Sequence, residues 1–314
     1  MIIIQVPKHC KTQESPDHLM KSMNSARQET REDDGRIFSQ KFDADTGISE
    51  FRQMVLDYYS HHGRPMPWRD TTDPYKILVS EIMLQQTQVE RVLVKYPAFL
   101  SAFPDFTSLA QAPLADILTV WQGMGYNRRA IYLQKCAQRA VNEYNGILPA
   151  DVETLATFPG IGRATASSIC AFAFDLPVVF IETNIRRVFI HFFFSDADTV
   201  NDAKILPLVD KALYKENPRI WYWALMDIGT ALKKTIENPN RKSAHYTKQV
   251  PFEGSDRRIR GRIIALLLAT PNLTVDEIAA RFTEDPDRIL RIVKALENEG
   301  FIHCSKNHYS VVSH

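Results

Sequence analysis

The sequence predicts an all-α domain followed by a small mixed α/β unit. Three observations carry this. Between residues 48 and 235 apolar residues recur at helical spacing, and no convincing alternating strand run appears. A basic stretch bearing Pro239, Pro251 and Gly254 then breaks that pattern. Beyond it, three helical patterns precede an alternation over 301–312 that reads as a hairpin around Lys306-Asn307.

In chain order, residues 7–46 are polar and charged, with few aromatics, so residues 1–46 read as a disordered tail. The start, Met1-Ile-Ile-Ile-Gln-Val6, is too short for a signal-peptide core or a membrane span. Phe51, Met54, Val55, Tyr58 and Tyr59 keep a helical spacing, and the glycine and two prolines in 61–70 end it. A helix is expected over 73–89, then further helices at 90–102, 113–121, 127–145, 151–157, 162–174, 184–194, 203–215 and 218–234. Val178–Ile181 is short enough to be buried coil between helices. The domain organisation is therefore a tail at 1–46, one α domain at 47–235, a linker at 236–256 and a second unit at 257–314. Three helices and a hairpin make that unit winged-helix-like, suited to DNA or to protein contact.

Charge nearly cancels over the 314 residues, with 38 basic against 37 acidic. Any nucleic-acid surface must then come from local clustering. The stretch 233–262 is such a cluster, with nine basic residues against three acidic. It reads equally as a solvated linker or as a phosphate-tracking arm. Cys10, Cys136, Cys170 and Cys304 are scattered with no CxxC, which argues against a disulfide framework or a zinc site and fits a reducing compartment.

The helix expected at 73–89 holds the most informative residue. Asp73 can cap it, and Pro74 suits the first helical position. Ile77, Leu78, Val79, Ile82, Met83 and Leu84 make it apolar almost all round, yet Glu81 sits in its middle. Gln85 and Gln88 follow at one and two turns, on the same face. A carboxylate in apolar surroundings has a raised pKa, which suits a general acid at neutral pH. The alternative is an amphipathic helix with one wet stripe, and this helix alone favours it.

Two glycine turns shift that balance. Phe158-Pro-Gly-Ile-Gly-Arg163 compresses a helix end, a turn and a new helix start. Its amides can hold an anion in the helix-hairpin-helix manner, gripping a DNA phosphate without reading sequence. Gly123-Met-Gly-Tyr-Asn-Arg-Arg129 is a second turn of this kind. Glu182 and Asn184 then precede a helix, with Asn184 as its expected cap and Glu182 either balancing the dipole or facing the hairpin's mouth.

Pro67-Trp68, Ser80-Glu-Ile-Met-Leu-Gln-Gln-Thr-Gln-Val89, Trp121–Tyr126, Phe158–Arg163, Glu182–Val188 and Met226-Asp-Ile-Gly229 occur in an order and spacing that resemble the helix-hairpin-helix (HhH-GPD) DNA glycosylase superfamily. The Ser80–Val89 stretch is close to the signature of MutY-type adenine DNA glycosylases. The resemblance covers residues 48–232. It implies base flipping and cleavage of a glycosidic bond in duplex DNA holding a mispaired or damaged base. By this resemblance Glu81 is the general acid, and Glu182 and Asn184 complete the catalytic set. Gln85, Gln86 and Thr87 lie at the base and the space it vacates, and Tyr126 wedges into the stack. Gly123, Gly125, Arg128, Pro159, Gly160, Ile161, Gly162, Arg163 and Arg186 contact DNA. A split pair is expected, with Glu81 protonated and Glu182 ionised.

The sequence departs from the family in four places. Glu182 stands in Ile-Glu-Thr-Asn where the family carries aspartate, and Asn127 stands where a second tyrosine is usual. Lys233 and Lys234 follow Met226-Asp-Ile-Gly229, and no cysteine lies between Cys170 and Cys304, so no iron–sulfur cluster or other cofactor is expected. The winged-helix-like unit replaces the family's Nudix-like domain. Ala164 occupies the position of the Schiff-base lysine of bifunctional members, which implies a monofunctional enzyme. The expectation is a monomeric adenine DNA glycosylase of base-excision repair, cytoplasmic and nucleoid-associated or nuclear, with no membrane partner. A uracil or thymine glycosylase acting opposite guanine, and a non-catalytic DNA-binding protein on the same scaffold, are the alternatives.

Overall fold

The computed structural model describes residues 35–247 and 253–312. Its helices fall close to the expected spans: α1 (Ile48–His62), α2 (Pro74–Leu84), α3 (Val89–Ala102), α4 (Phe106–Gln111), α5 (Leu114–Trp121), α6 (Arg128–Tyr144), α7 (Val152–Leu155), α8 (Arg163–Phe174), α9 (Thr183–Phe193), α10 (Asp202–Ala212) and α11 (Pro218–Thr235). The six-residue helix α4 escaped the periodicity because it is shorter than two turns. An Asp105–Ser108 capping box starts it. Val178–Ile181 is coil, as expected, and the Tyr222 hydroxyl donates to the Val178 carbonyl at 2.6 Å.

The core is densely aromatic around Phe51 of α1. Its ring meets Phe189 at 5.4 Å, Phe193 at 4.9 Å and Trp221 at 6.0 Å, which ties α1, α9 and α11 together. Helices α9 and α11 approach closely at Gly229. A Cβ there would lie 2.6 Å from atoms of Asn184, so the glycine of Met226-Asp-Ile-Gly229 is a packing requirement. Two residues earlier in that motif, Asp227 is buried and accepts from both Arg64 and Arg69, Arg69 in a fork at 2.8 Å to each carboxylate oxygen. This pins the loop between α1 and α2 to α11.

Three expectations need correction. The expected helix over 73–89 stops at Leu84, and a new one begins at Val89 with Gln88 as its N-cap. Gln88 therefore does not share a helical face with Glu81. The cause is long-range, because the Arg129 guanidinium takes the carbonyls of Ile82, Met83 and Gln85 that a continuing helix would use. Gln86 then adopts φ +53. Secondly, the tail expected to run to residue 46 is ordered from 35 onward. Phe38 is buried, and Phe42 packs on Phe51 and Phe192. Residues 1–34 lie outside the described residues. Thirdly, residues 238–244 of the expected linker pack on the α domain. Asn240 donates to the Thr183 carbonyl, and Val200 and Ser243 form a bridge.

The C-terminal unit consists of α12 (Asp256–Ala269), α13 (Val275–Ala279), α14 (Pro286–Asn298), β1 (Ile302–Ser305) and β2 (His308–Val311). Ile302 pairs with Val311 and Ser305 with His308. Lys306 and Asn307 take φ +50 and +67, the two left-handed residues of a tight hairpin turn. Ile289, Val293, Leu296, Phe301 and Tyr309 close its core. The cations of α14 are engaged within the unit, since Arg288 and Arg291 both bind Asp256 and Lys294 binds Glu297. Among the described residues no helix is long and apolar enough to cross a membrane.

Candidate active site

Helix α2 delivers Glu81 into a cavity of about 270 Å³ between α2, α8, α11 and the segment leading to α9. Trp68, Phe172, Phe180 and Trp223 give it aromatic walls, and Glu81, Ser168 and Glu182 give it polar ones. Burial pushes the Glu81 carboxyl up to about 7, and the charge of Glu182 adds to the shift. The Ser168 hydroxyl opposes it by donating to Glu81 Oε2 at 2.5 Å.

Glu182 itself is the N-cap of α9. Its Oε1 accepts from the backbone N–H of Asn184 at 2.6 Å and of Ile185 at 2.8 Å. The expected cap, Asn184, is instead inside the helix. It donates to Glu182 Oε2 at 3.2 Å and accepts from Arg187 at 2.7 Å. Burial raises Glu182 from the ordinary glutamate value, against the pull of these amides and of Arg187 and Arg186. Three N–H donors on one carboxylate favour its charged form. Glu81 has one hydroxyl, so the two carboxylates differ in their donors, while burial raises both above the ordinary glutamate value.

The hairpin joins α7 to α8. Gly160 has φ +73, and a Cβ there would lie 2.5 Å from the Tyr132 ring, so only glycine fits. Ile161 is buried and anchors the turn. Gly162 is the N-cap of α8 and supplies no side-chain acceptor, which leaves the first-turn amides for an anion. Pro159 accepts from the Cys136 thiol at 3.1 Å. Gln85, at the end of α2, reaches the Gly160 carbonyl and the Thr165 hydroxyl, both at 3.4 Å. The hairpin and α2 are thus joined directly. Ala164 lines the Glu81 cavity.

The second glycine turn is held by a residue that sequence reasoning passed over. Arg129 is buried, and its guanidinium donates to the carbonyls of Ile82, Met83, Gln85, Met124 and Gly125 and to the Thr87 hydroxyl. Burial brings its pKa down to about 10. One side chain therefore locks Gln85–Thr87 and Gly123–Tyr126 against each other. Both segments carry a non-glycine residue at positive φ, Gln86 at +53 and Tyr126 at +47. The clue was in the helical phase, because Arg129 lines up with buried Leu133, Ala137 and Ala140.

All three arginines expected on DNA have protein partners. Arg128 binds Glu299 at 2.8 Å, Arg163 binds Glu153 at 2.7 Å, and Arg186 forks onto Asp202 at 2.6 and 2.7 Å. The Arg186 pair is half-buried, which makes it a structural contact. The exposed Arg163 pair is readily exchanged for a phosphate.

Residues 79–206 match the HhH-GPD superfamily base excision DNA repair protein family. The chain is 32% identical over 267 residues to an adenine DNA glycosylase of Mycolicibacterium smegmatis, covering 79% of this chain and 91% of that one. The chain belongs to the HhH-GPD superfamily of base-excision DNA repair glycosylases. This glycosylase is also 37% identical over 187 residues to an adenine DNA glycosylase of Buchnera aphidicola subsp. Baizongia pistaciae, spanning 58% of this chain but only 52% of that relative. Its fold matches the solved structure of a thermostable thymine-DNA glycosylase with a TM-score of 0.54 at 23% identity, over 62% of this chain and 91% of the other.

Proposed function

We propose that this glycosylase is monofunctional and removes a mispaired adenine flipped out of duplex DNA. The observation that carries the reading is a carboxyl raised to about 7 in an aromatic cavity beside a second, amide-held carboxylate. Glu81 gives its proton to a ring nitrogen of the base. The bond from the sugar to the base breaks, and its electron pair leaves with the base. Glu182 faces the positive charge that develops on the sugar. Water then adds to the sugar and loses a proton to the Glu81 carboxylate, which restores the acid. With Ala164 in place of a lysine the product is an intact strand carrying an abasic site.

Adenine as the substrate rests on the curated relatives named adenine DNA glycosylase, together with the Ser80–Val89 stretch. The chemistry needs no metal cluster. A thiolate-held iron–sulfur cluster has no ligand set after α11, because no cysteine stands between Cys170 and Cys304.

The test is a panel of duplexes carrying adenine opposite 8-oxoguanine, adenine opposite guanine, uracil or thymine opposite guanine, and hypoxanthine. Strand breaks on the adenine duplexes that appear only after alkali, and are lost in Glu81→Gln, are the expected result. Cleavage of the pyrimidine mismatches alone moves the assignment to a uracil or thymine glycosylase. Binding without an abasic product on any duplex leaves a DNA-binding protein.

A further inference from the structure

Two polar ties cross from the C-terminal unit to the glycosylase domain, and both end on one turn, Gly123–Arg129. Glu299, just past the end of α14, binds Arg128 at 2.8 Å and Arg260 of its own unit at 3.0 and 2.5 Å. Arg257, in the first turn of α12, donates to the Tyr126 hydroxyl, and its guanidinium carbon lies 5.2 Å from the centre of the Tyr126 ring. Arg129 approaches the same ring at 5.5 Å.

These are weak fastenings. The Arg128 side chain is 55% exposed, so water and salt compete for its pair with Glu299. A cleft of about 450 Å³ stays open beside the ties, where a permanent seam would be filled with apolar side chains. The unit closes its own core with Ile289, Val293, Leu296, Phe301 and Tyr309, so most of its packing does not depend on the seam.

By the family resemblance Tyr126 enters the base stack and Arg128 contacts DNA. In the docked arrangement the Tyr126 ring already has two guanidinium neighbours, and the charge of Arg128 is matched by a carboxylate. A ring face covered by a guanidinium is closed to a base, and a matched arginine gains less from a phosphate. We propose that the C-terminal unit is an autoinhibitory cap, in which Glu299 and Arg257 hold the Gly123–Arg129 turn closed and duplex DNA binds by displacing them. The DNA backbone replaces Glu299 on Arg128, and Glu299 keeps Arg260, so the exchange strands no charge. Unit and duplex compete for one surface, and each weakens the other's hold by the same factor. This inference rests on the proposed function in requiring that the turn face duplex DNA.

The experiment uses the full chain, a fluorescent duplex carrying a tetrahydrofuran abasic analogue, and hydrogen exchange without DNA. Glu299→Gln removes the tie to Arg128. Glu297→Gln removes the same charge two residues earlier, where the partner is Lys294 within the unit. Tyr126→Phe keeps the ring and loses the hydroxyl that Arg257 holds. Glu299→Gln is expected to speed exchange across residues 124–129 and to bind the duplex up to about fivefold more tightly than Glu297→Gln. Tyr126→Phe is expected to bind more tightly than the parent protein with no change of charge, and it decides alone if Glu299→Gln is unfolded. Equal affinities of the two glutamate variants, or a Tyr126→Phe protein that binds no more tightly than its parent, overturns the proposal. A parent protein that binds no duplex takes the proposed function down as well. One that binds and excises, while its variants gain nothing, removes the cap alone.

Discussion

Ser168 on the helix after the hairpin donates a 2.5 Å hydrogen bond to Glu81 on α2. The bond favours the charged form of Glu81, while burial favours the neutral one. Removing the donor in Ser168→Ala should therefore raise the Glu81 pKa. The alkaline limb of the single-turnover rate profile should move to higher pH, with a smaller effect on the acid plateau. A limb that stays in place, or moves down, would show that Ser168 does not tune the acid.

Glu81 also links activity and stability to pH. In the proposed role of general acid it works while protonated, so the rate should fall as pH rises through about 7. Its pKa lies above the ordinary 4.5, so folding favours the protonated form. Stability is fully present below about 4.5 and is progressively lost as pH rises through about 7. Glu81→Gln should abolish turnover by about 10²-fold or more and yet raise stability at pH 8, by up to about 3 kcal/mol. Urea melts at pH 4.5 and 8 check this, and an equal effect at both would contradict the raised pKa.

By the sequence resemblance, Glu182 stands where the family carries aspartate. It caps α9 through two backbone amides and lines the Glu81 cavity. Glu182→Asp keeps the charge and a good capping residue, and activity is expected to be retained or raised. Glu182→Gln should keep the fold and lose the rate. Complete loss of activity in Glu182→Asp would mean that the surrounding side chains have adapted to the longer carboxylate.

Arg129 is expected to matter most for stability. Arg129→Ala leaves a group of buried carbonyls without their donor and should cost about 2–4 kcal/mol. Arg129→Lys keeps the charge but not the fork, and should free Gln86 and Tyr126 in hydrogen exchange while retaining most of the helical signal. Melts and exchange rates indistinguishable from the parent protein would remove Arg129 from this role.

The basic stretch that begins in the last turn of α11 separates into two kinds of cation. Lys242 donates to the Ser195 carbonyl and Arg241 binds Glu237, whereas Lys233 and Lys234 sit in the last turn of α11. Neutralising Lys233 and Lys234 together should weaken duplex binding and lower the slope of log K against log salt by about 2. Lys242→Ala should change thermal stability and leave that slope unaltered. A slope unaffected by the double change would make these lysines mere surface charge.

What the sequence determined by itself is whatever neighbours along the chain decide. The helical pattern from Ile48 to Thr235, the Asp73 cap, the glycine turn at Gly160 and the Lys306-Asn307 hairpin follow from side-chain spacing and from which residues accept positive φ. Glu81 stood out for the same reason, as one carboxylate in an apolar run. Tertiary structure decided the rest, because a guanidinium or a hydroxyl takes its partners from wherever packing brings them. Arg129 ends α2 from more than forty residues away, Ser168 reaches Glu81 across the hairpin, and Arg128 turns out to hold Glu299 of the C-terminal unit. No local pattern encodes those distances. They arise only once the aromatic core has fixed how the helices lie, and they place the C-terminal unit over Tyr126.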